Sequence, residues 1–466
     1  MTRVTDGSAH AGPLLCMTSG PSHLVSIDDL SLEEIRALFV RADEFASDLR
    51  AWSHLCPGLI SASLFYEPST RTRLSFESAM LRLGGGVLTA ADMRSSSASK
   101  GESLADTVRV VGGGYADLIV LRHASEGAAR LAAQYSPVPV INAGDGSHEH
   151  PTQTLCDLYN LWIERGRIEG LEVVLSGDLR YSRTIHSFVY ALARFGANIV
   201  CVPQHGFELP DYVVQRLREE FGVEPVRADV SRLGDLTRES DAVYLTPQKP
   251  HQLSLFTDAR GMAVQRVDAL YMTRPQTERH GADSVDDSNY LQIGKQELAA
   301  ESLRDAVVMH PLPRRDEISS EVDGDPRSIY FKQAARGVPI RMAILGYLLG
   351  RLDLGTEPHE LDLCLYEVRR GDNPCVNPSC ISHTERRHVR AHFKLAARFP
   401  VLRAYCGFCS QELPAHWVGC TTTGSYHPID SPAVRKIRPD HLVFLRDEEQ
   451  ARAQGFAPVS RQGAMR

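Results

Sequence analysis

Apolar residues in "SIDDLSLEEIRALFVRADEFASDL", Ser26 to Leu49, recur at three- and four-residue spacing, which predicts an amphipathic helix. Ser31 is its expected N-cap, and Glu34 completes a capping box. Downstream, the apolar runs "LISASLFY", "ADLIVLR" and "VPVINAG" alternate with helical patterns: one starting at Ser69, one in "EGAARLAAQY", one from His150 or Pro151. Alternation of this kind predicts a parallel sheet covered by helices. It restarts at "LEVVLSGDL" and runs through "SFVYALARFG", "ANIVCVP", "DYVVQRLREEFG", "DAVYLT", "DALYMT" and "AVVMHPLP". Two such units joined through "TLCDLYNLWIERG" predict two similar sheets facing one cleft. "DAVYLTPQKPHQ" and "DALYMTRPQTERH" read as neighbouring strand ends of one sheet.

The helix "RGVPIRMAILGYLLGRL" closes this region, and a turn to Cys-, Arg- and Pro-rich composition marks a boundary near residue 357. The expected organisation is a small, polar, mobile extension over 1–22, α/β domains over 23–158 and 159–357 with the last helix returning to the first domain, a cysteine-rich domain over 358–420 and a short α+β module over 421–466. A chain of 466 residues, 43% hydrophobic, has room for that many cores. A net charge of −7 supplies no global field for nucleic acid or an anionic membrane. No apolar run approaches the roughly 20 residues of a membrane span, and the first residues lack a secretory pattern, so a cytoplasmic location is expected. Cys16, Cys56, Cys156 and Cys201 are scattered, as small buried hydrophobes are, whereas six cysteines crowd between Cys364 and Cys420. Such a cluster asks for disulfides or a metal, and a reducing compartment favours metal.

The first chemistry lies in "LFYEPSTRTRLSFESAMLRLGGG". Unpaired N–H groups at a helix start, with the hydroxyls of Ser69, Thr70 and Thr72 and the guanidiniums of Arg71 and Arg73, make an oxyanion pocket. The Gly and Lys-Ser/Thr pattern of a Walker loop is missing. "FYEPSTRTRLSFESAMLRLG" resembles the carbamoyl phosphate motif of the aspartate and ornithine carbamoyltransferases. Four further matches follow in that family's order: "SKGESLADT", "NAGDGSHEHPTQTLCDL", "GDLRYSRTIHS" and "YMTRPQ…HPLPRRDEI". The resemblance covers roughly residues 23–352 and implies two parallel-sheet α/β domains of that type.

By resemblance, Ser69, Thr70, Arg71 and Thr72 hold the phosphate, and Arg71 also stabilises charge on the departing oxygen. Arg122, His150 and Thr72 point at the carbamoyl oxygen, and Gln153 accepts from its amide. Ser96 and Lys100, in "RSSSASKGES", belong to a loop that in the family enters the neighbouring subunit's site. That implies a homotrimer with shared active sites and admits pairing of trimers. A long lysine there would close over a bound dianion. Two positions depart from the family pattern: Ser99 stands at a usually basic position, and Ala124 replaces a common proline.

A dicarboxylate acceptor needs two cationic clamps, and arginine forks match carboxylates. By resemblance Arg183 takes the α-carboxylate, Arg274 and Gln276 take the side-chain carboxylate, and the backbone at Pro311 and Leu312 completes the pocket. Ornithine-type relatives carry a cysteine where Leu312 stands and an acidic acceptor site, so L-aspartate is the expected acceptor and N-carbamoyl-L-aspartate, a pyrimidine precursor, the product. Were "DAVYLTPQKPHQ" to occupy the acceptor position instead, Pro247 and Lys249 would replace Arg274 and Gln276 and a different amine would follow. A non-catalytic assembly or nucleic-acid-binding protein built on such a fold would show decayed site residues, and these are intact.

In the tail, Cys375, Cys380, Cys406 and Cys409 form C-x4-C and C-x2-C pairs, the arrangement of a structural four-thiolate zinc site with one ion per chain. Cys364, Cys420, His383, His388 and His392 read as surface or local packing residues, and "RRHVRAHFKLAAR" as a solvated helix face. "CVNPSCISHTE" resembles the zinc domain of the aspartate carbamoyltransferase regulatory chain, here without room for that chain's nucleotide-binding half. This implies an assembly-supporting zinc module without the usual effector site. The last segment, with "IRPDHLVF" and "EEQARAQGF", resembles the metal-binding module of Ada-type repair proteins. Asp430 or Ser431 and Val459 stand where that module has cysteines, so a docking piece without metal is expected.

Overall fold

The computed structural model describes residues 23–91, 93, 101–228, 239–246, 266–274, 292–356, 365–367, 375–386, 389, 392–397 and 402–459. The extension 1–22, the loop with Ser96 and Lys100, Pro247, Lys249, Gln276, Cys364 and His388 lie outside them.

The first lobe begins with α1 (Leu32–Ser47), closed by both halves of the expected capping box: Ser31 Oγ accepts from Glu34 N at 3.0 Å, and Ser31 N donates to Glu34 Oε2 at 2.6 Å. Its sheet contains β1 (Ile60–Phe65), β2 (Gly86–Ala90), β3 (Leu118–His123) and β4 (Val140–Asp145), all parallel in the order β2-β1-β3-β4. The helices between them are α2 (Thr70–Arg82), α3 (Leu104–Gly114) and α4 (Ala128–Tyr135), and α5 (Pro151–Arg165) leads out of the lobe. Such helix-covered sheets bury both faces of a strand, which explains the unbroken apolar run in β3.

The second lobe strings together β5 (Glu172–Gly177), α6 (Arg183–Arg194), β6 (Asn198–Pro203), α7 (Asp211–Phe221), β7 (Val226–Arg227), β8 (Glu239–Thr246), β9 (Arg266–Met272) and β10 (Val307–Met309). Its six strands are parallel in the order β10-β9-β8-β5-β6-β7, and β8 and β9 are direct neighbours. The long helix α8 (Tyr330–Leu348) returns to pack on α1 and α2, and its Ile340, Ile344 and Leu345 share one buried core with Phe39, Phe45, Phe76 and Tyr159. Each sheet reverses strand order once, between β1 and β3 and between β5 and β8. Those reversals open crevices at the carboxyl ends of the strands.

Two small sheets follow. The first is antiparallel, β11 (Leu365–Glu367), β12 (His392–Ala397) and β13 (Arg403–Cys406). The second has the order β16-β14-β15-β17, from β14 (Trp417–Cys420), β15 (Ser425–Pro428), β16 (Leu442–Leu445) and β17 (Ala457–Pro458), with the short helix α9 (Glu448–Ala453) beside it. Two expectations are corrected here. "HFKLAA" is a strand and not a helix face, because pairing with β11 and β13 on both sides outweighs its helix-compatible charge spacing. A division at residue 420 would cut off β14, which lies inside the last sheet, paired with β15 and β16. Cys420 is a strand residue there, so counting cysteines misplaces the boundary.

The cysteine module is seated on the first lobe at the start of α4. Glu126 N donates to Ser379 O and Ile381 N to Glu126 O, both at 2.9 Å, and Asn377 Nδ2 reaches Glu126 Oε2 at 2.6 Å. Phe408 and Val389 share a core with Leu104, Ala128 and Leu131. On the other side, Arg403 pairs with Glu219 of α7 at 3.4 Å. The module therefore touches both lobes, and a crevice of about 1000 Å³ lies where the three parts meet.

Candidate active site

The α2 N-terminus sits at the first sheet's reversal, immediately after β1. Ser69 is its N-cap, with extended φ −159° and no capping bond from its side chain. In contrast, Ser31 and Ser103 spend their hydroxyls on capping α1 and α3. The hydroxyl and the first backbone N–H groups of α2 are thus left to face an anion. Thr70 and Arg71 are exposed and Thr72 is half-buried, so the strip is open to solvent.

Arg122 ends β3 across the same reversal. It is buried, paired with Glu67 at 2.9 Å, and its Nη1 donates to Ala143 O at 3.2 Å. His150, also buried, is the N-cap residue of α5; its backbone N–H donates to Ser187 Oγ at 3.1 Å and its Nδ1 lies 3.4 Å from Thr152 Oγ1. One turn on, Gln153 Nε2 donates to Asp157 Oδ1 at 2.8 Å, which fixes the side-chain amide with its oxygen as the acceptor end. Asp157 also takes bonds from Tyr271 Oη at 2.9 Å and Gln333 Nε2 at 3.2 Å; even so, burial pushes its pKa up to about 7.

From the second lobe, buried Asp178 accepts the backbone N–H of Arg180 and of Tyr181, both at 3.0 Å, turning the chain so that α6 begins at Arg183. Arg274 follows β9, half-buried. Past β10, His310 Nδ1 accepts Leu312 N–H at 2.7 Å and Nε2 donates to Glu317 at 2.8 Å, holding Pro311 and Leu312 in a turn where Leu312 takes a φ of +54°. A non-glycine residue in that region persists only where its surroundings impose it. Burial lowers the His310 pKa; the bond to Glu317 and its charge oppose that, and the charges of Arg314 and then Arg71 add to it.

Arg71, from the first lobe, has its pKa lowered by burial and then by the charge of Arg274, from the second. Like charges within reach of each other favour an anion between them. Sequence profiles of the carbamoyl-P binding domain and the Asp/Orn binding domain of aspartate/ornithine carbamoyltransferase match residues 22–162 and 169–348.

The chain belongs to the aspartate/ornithine carbamoyltransferase family.

Among similar family members, an aspartate carbamoyltransferase catalytic subunit of Clostridium kluyveri is 43% identical over 334 residues, covering 70% of this chain and 98% of the relative. The same subunit of Thermoplasma acidophilum is also 43% identical, over 335 residues. The solved catalytic subunit of M. jannaschii aspartate transcarbamoylase covers 71% of this chain and 98% of its own, at 42% identity and a TM-score of 0.57. Aspartate transcarbamoylase of Trypanosoma cruzi, solved with carbamoyl aspartate and phosphate, aligns at 32% identity over 70% of this chain and 95% of its own, with a TM-score of 0.56.

Within this carbamoyltransferase fold, Ser69, Thr70, Arg71, Thr72, Arg122, His150, Gln153, Pro311, Leu312 and Arg274 come from strand ends and helix starts at the carboxyl edges of the two sheets, and Arg183 begins α6 at the second reversal. Arg274 follows β9, so it is the second of the two similar strand ends whose charge reaches Arg71. Sequence reasoning missed Glu67, the Arg122 counter-ion, although it lies inside the quoted phosphate motif. It also missed Asp157, whose spacing of four from Gln153 on a helix was a usable signal.

The four expected tail cysteines form the one candidate metal group among the described residues: their Sγ atoms lie within 4.8 Å of one another, all buried. Cys375 to Cys409 is 3.4 Å and Cys380 to Cys406 3.8 Å, close to the edge of about 3.8 Å of a tetrahedron with roughly 2.3 Å zinc–sulfur bonds. All four are free of disulfides. The donor set fits zinc.

Proposed function

We infer that the protein is an aspartate carbamoyltransferase over its two lobes: it transfers the carbamoyl group of carbamoyl phosphate to the α-amine of L-aspartate, giving N-carbamoyl-L-aspartate and phosphate for pyrimidine synthesis. The observation that carries this reading is the uncapped, hydroxyl-rich start of α2 at the first sheet's reversal, with Arg274 of the second lobe near enough for its charge to lower the Arg71 pKa after burial does. The 43% identity to aspartate carbamoyltransferase catalytic subunits supports the same acceptor.

Phosphate binds Ser69, Thr70, Arg71 and Thr72 at the α2 N-terminus. Arg122, released from Glu67, and His150 polarise the carbamoyl oxygen with Thr72, while Gln153, its amide oriented by Asp157, accepts from the carbamoyl NH2. Arg183 and Arg274, with Gln276, hold the two carboxylates of aspartate beside Pro311 and Leu312. The neutral amine then attacks, the C–N bond forms as the C–O bond to phosphate breaks, and the departing phosphate takes up the amine proton. Orientation and preorganised charge supply the acceleration, with no dedicated protein base.

Ser96 and Lys100 act in a neighbouring subunit of a homotrimer. In support, Leu74 and Leu81 of α2 and Leu88 on the edge strand β2 are 50%, 60% and 45% exposed, an apolar strip suited to a second copy. Cys375, Cys380, Cys406 and Cys409 hold one structural zinc, whose role is to fold the module. The final sheet is a docking piece without metal. Reduced thiolates of this kind suit a cytoplasmic location, and among the described residues no helix is long and apolar enough to cross a membrane.

Incubation with carbamoyl phosphate and a panel of amines tests the function. Carbamoyl aspartate is the expected product, and turnover with ornithine but not aspartate overturns the acceptor. Solution mass with and without chelator checks the trimer and whether trimers pair.

A further inference from the structure

Glu149 lies beside His150 and is only 2% exposed, yet it carries a carboxylate. Burying such a group is costly unless donors surround it. Here Oε2 accepts from Ser26 Oγ at 3.0 Å, Ile27 N at 3.3 Å and Ser187 Oγ at 3.3 Å, and Oε1 from Arg130 at 3.4 Å. Because Ser187 donates to Glu149, its lone pair is turned toward the His150 N–H at 3.1 Å. The carboxylate thus sets the hydroxyl that holds the His150 backbone.

The other end of this chain of bonds lies in the cysteine module. Arg130 donates to Gly407 O at 3.3 Å and Ser410 Oγ at 3.0 Å, and His148 Nε2 lies 3.2 Å from the same hydroxyl. His148 Nδ1 is 3.1 Å from Asp145 Oδ2, and Asp145 Oδ1 accepts Glu149 N at 3.1 Å. Asp145 thus holds one ring nitrogen of His148, and the Ser410 hydroxyl is shared between the other and Arg130. Ser410 has a φ of +59°, where glycine would be easier. A serine at that position keeps a hydroxyl that glycine would not offer to Arg130 and His148.

We propose that Ser410 is a positioning residue for His150, acting through Arg130, His148, Glu149 and Ser187, so that the docked cysteine module sets how strongly the carbamoyl carbonyl is polarised. This rests on the reading of His150 as a carbonyl-polarising group. The segment 145–150 is clamped between Ser410 on one side and Ser187 on the other, and loss of one anchor lets His150 drift from the substrate oxygen while the phosphate cradle at Ser69–Thr72 stays in place.

Ser410→Gly keeps the left-handed backbone and deletes the hydroxyl; Ser187→Ala removes the relay at its other end. The probe is phosphonoacetamide labelled with carbon-13 at the carbonyl, bound to the whole protein, alongside kcat, inorganic phosphate affinity and metal content. Both variants are expected to lower kcat by about tenfold and to move the bound carbonyl resonance toward its free position, with phosphate affinity and metal content unchanged. His150→Ala is the control and should move the resonance at least as far as either relay variant. If His150→Ala moves it and neither relay variant does, the relay is wrong; if His150→Ala leaves it unmoved, the reading of His150 is wrong. A parallel fall in phosphate affinity and metal content would mean a merely structural role and would also overturn the proposal.

Discussion

An alanine at Gly127 should unseat the cysteine module from the first lobe. Gly127 precedes α4 with a φ of +80°, and a Cβ there would lie 2.5 Å from Phe408 Cβ and 2.6 Å from its carbonyl carbon. Carbon atoms settle at about 3.5–4.0 Å, and a backbone atom cannot swing aside, so the module must retreat by about 1 Å. That takes Glu126 N–Ser379 O, Ile381 N–Glu126 O and Arg130–Ser410, now 2.9, 2.9 and 3.0 Å, beyond bonding distance. At about 1 kcal/mol net for each bond, and about 1–2 kcal/mol for alanine in a left-handed conformation, the loss is roughly 4–5 kcal/mol, a large share of a domain's stability. Scanning calorimetry should split into an early transition for the module and a later one for the lobes, and amide exchange at Glu126 and Ile381 should accelerate. A thermogram and exchange pattern identical to those of the parent protein would refute the docking argument.

Asp157 holds its proton more tightly folded than unfolded, so its contribution is full below about pH 4 and is lost as pH rises through about 7. Asp157→Asn should remove that slope, gaining at most about 4 kcal/mol at pH 8 relative to pH 4; urea midpoints at the two pH values check it, and an unchanged slope counts against it. Arg71→Ala should abolish carbamoyl transfer while leaving thermal stability within about 0.5 kcal/mol, as expected of an exposed side chain; retained turnover would remove Arg71 from the phosphate grip. Elemental analysis should find about one zinc per chain, and Cys409→Ser should lower that content and loosen the module before the lobes; full zinc in the variant would contradict the assigned ligand set.

Much of the site was legible because its signals are local. Ser31 and Glu34 lie three residues apart, the hydroxyls and arginine at Ser69–Thr72 follow a strand directly, and the four cysteines come as two close pairs. Asp157 was less visible: one partner, Gln153, is four residues away, but Tyr271 and Gln333 are 114 and 176 residues away. The basic stretch around His392 was misread for a related reason, since its partners in β11 and β13 supply the pairing that makes it a strand.

By itself, then, the sequence determined the succession of elements, the Ser31 cap, the hydroxyl-rich helix start at Ser69 and the two cysteine pairs that come together, because each depends on neighbours within a turn or a strand. Only the tertiary structure decided that the charge of Arg274 reaches Arg71, that β14 belongs to the last sheet, and that Ser410 reaches Arg130 across 280 residues of chain. Those outcomes depend on which buried polar groups find partners once the sheets, helices and cysteine module are packed, and a linear pattern does not contain that selection.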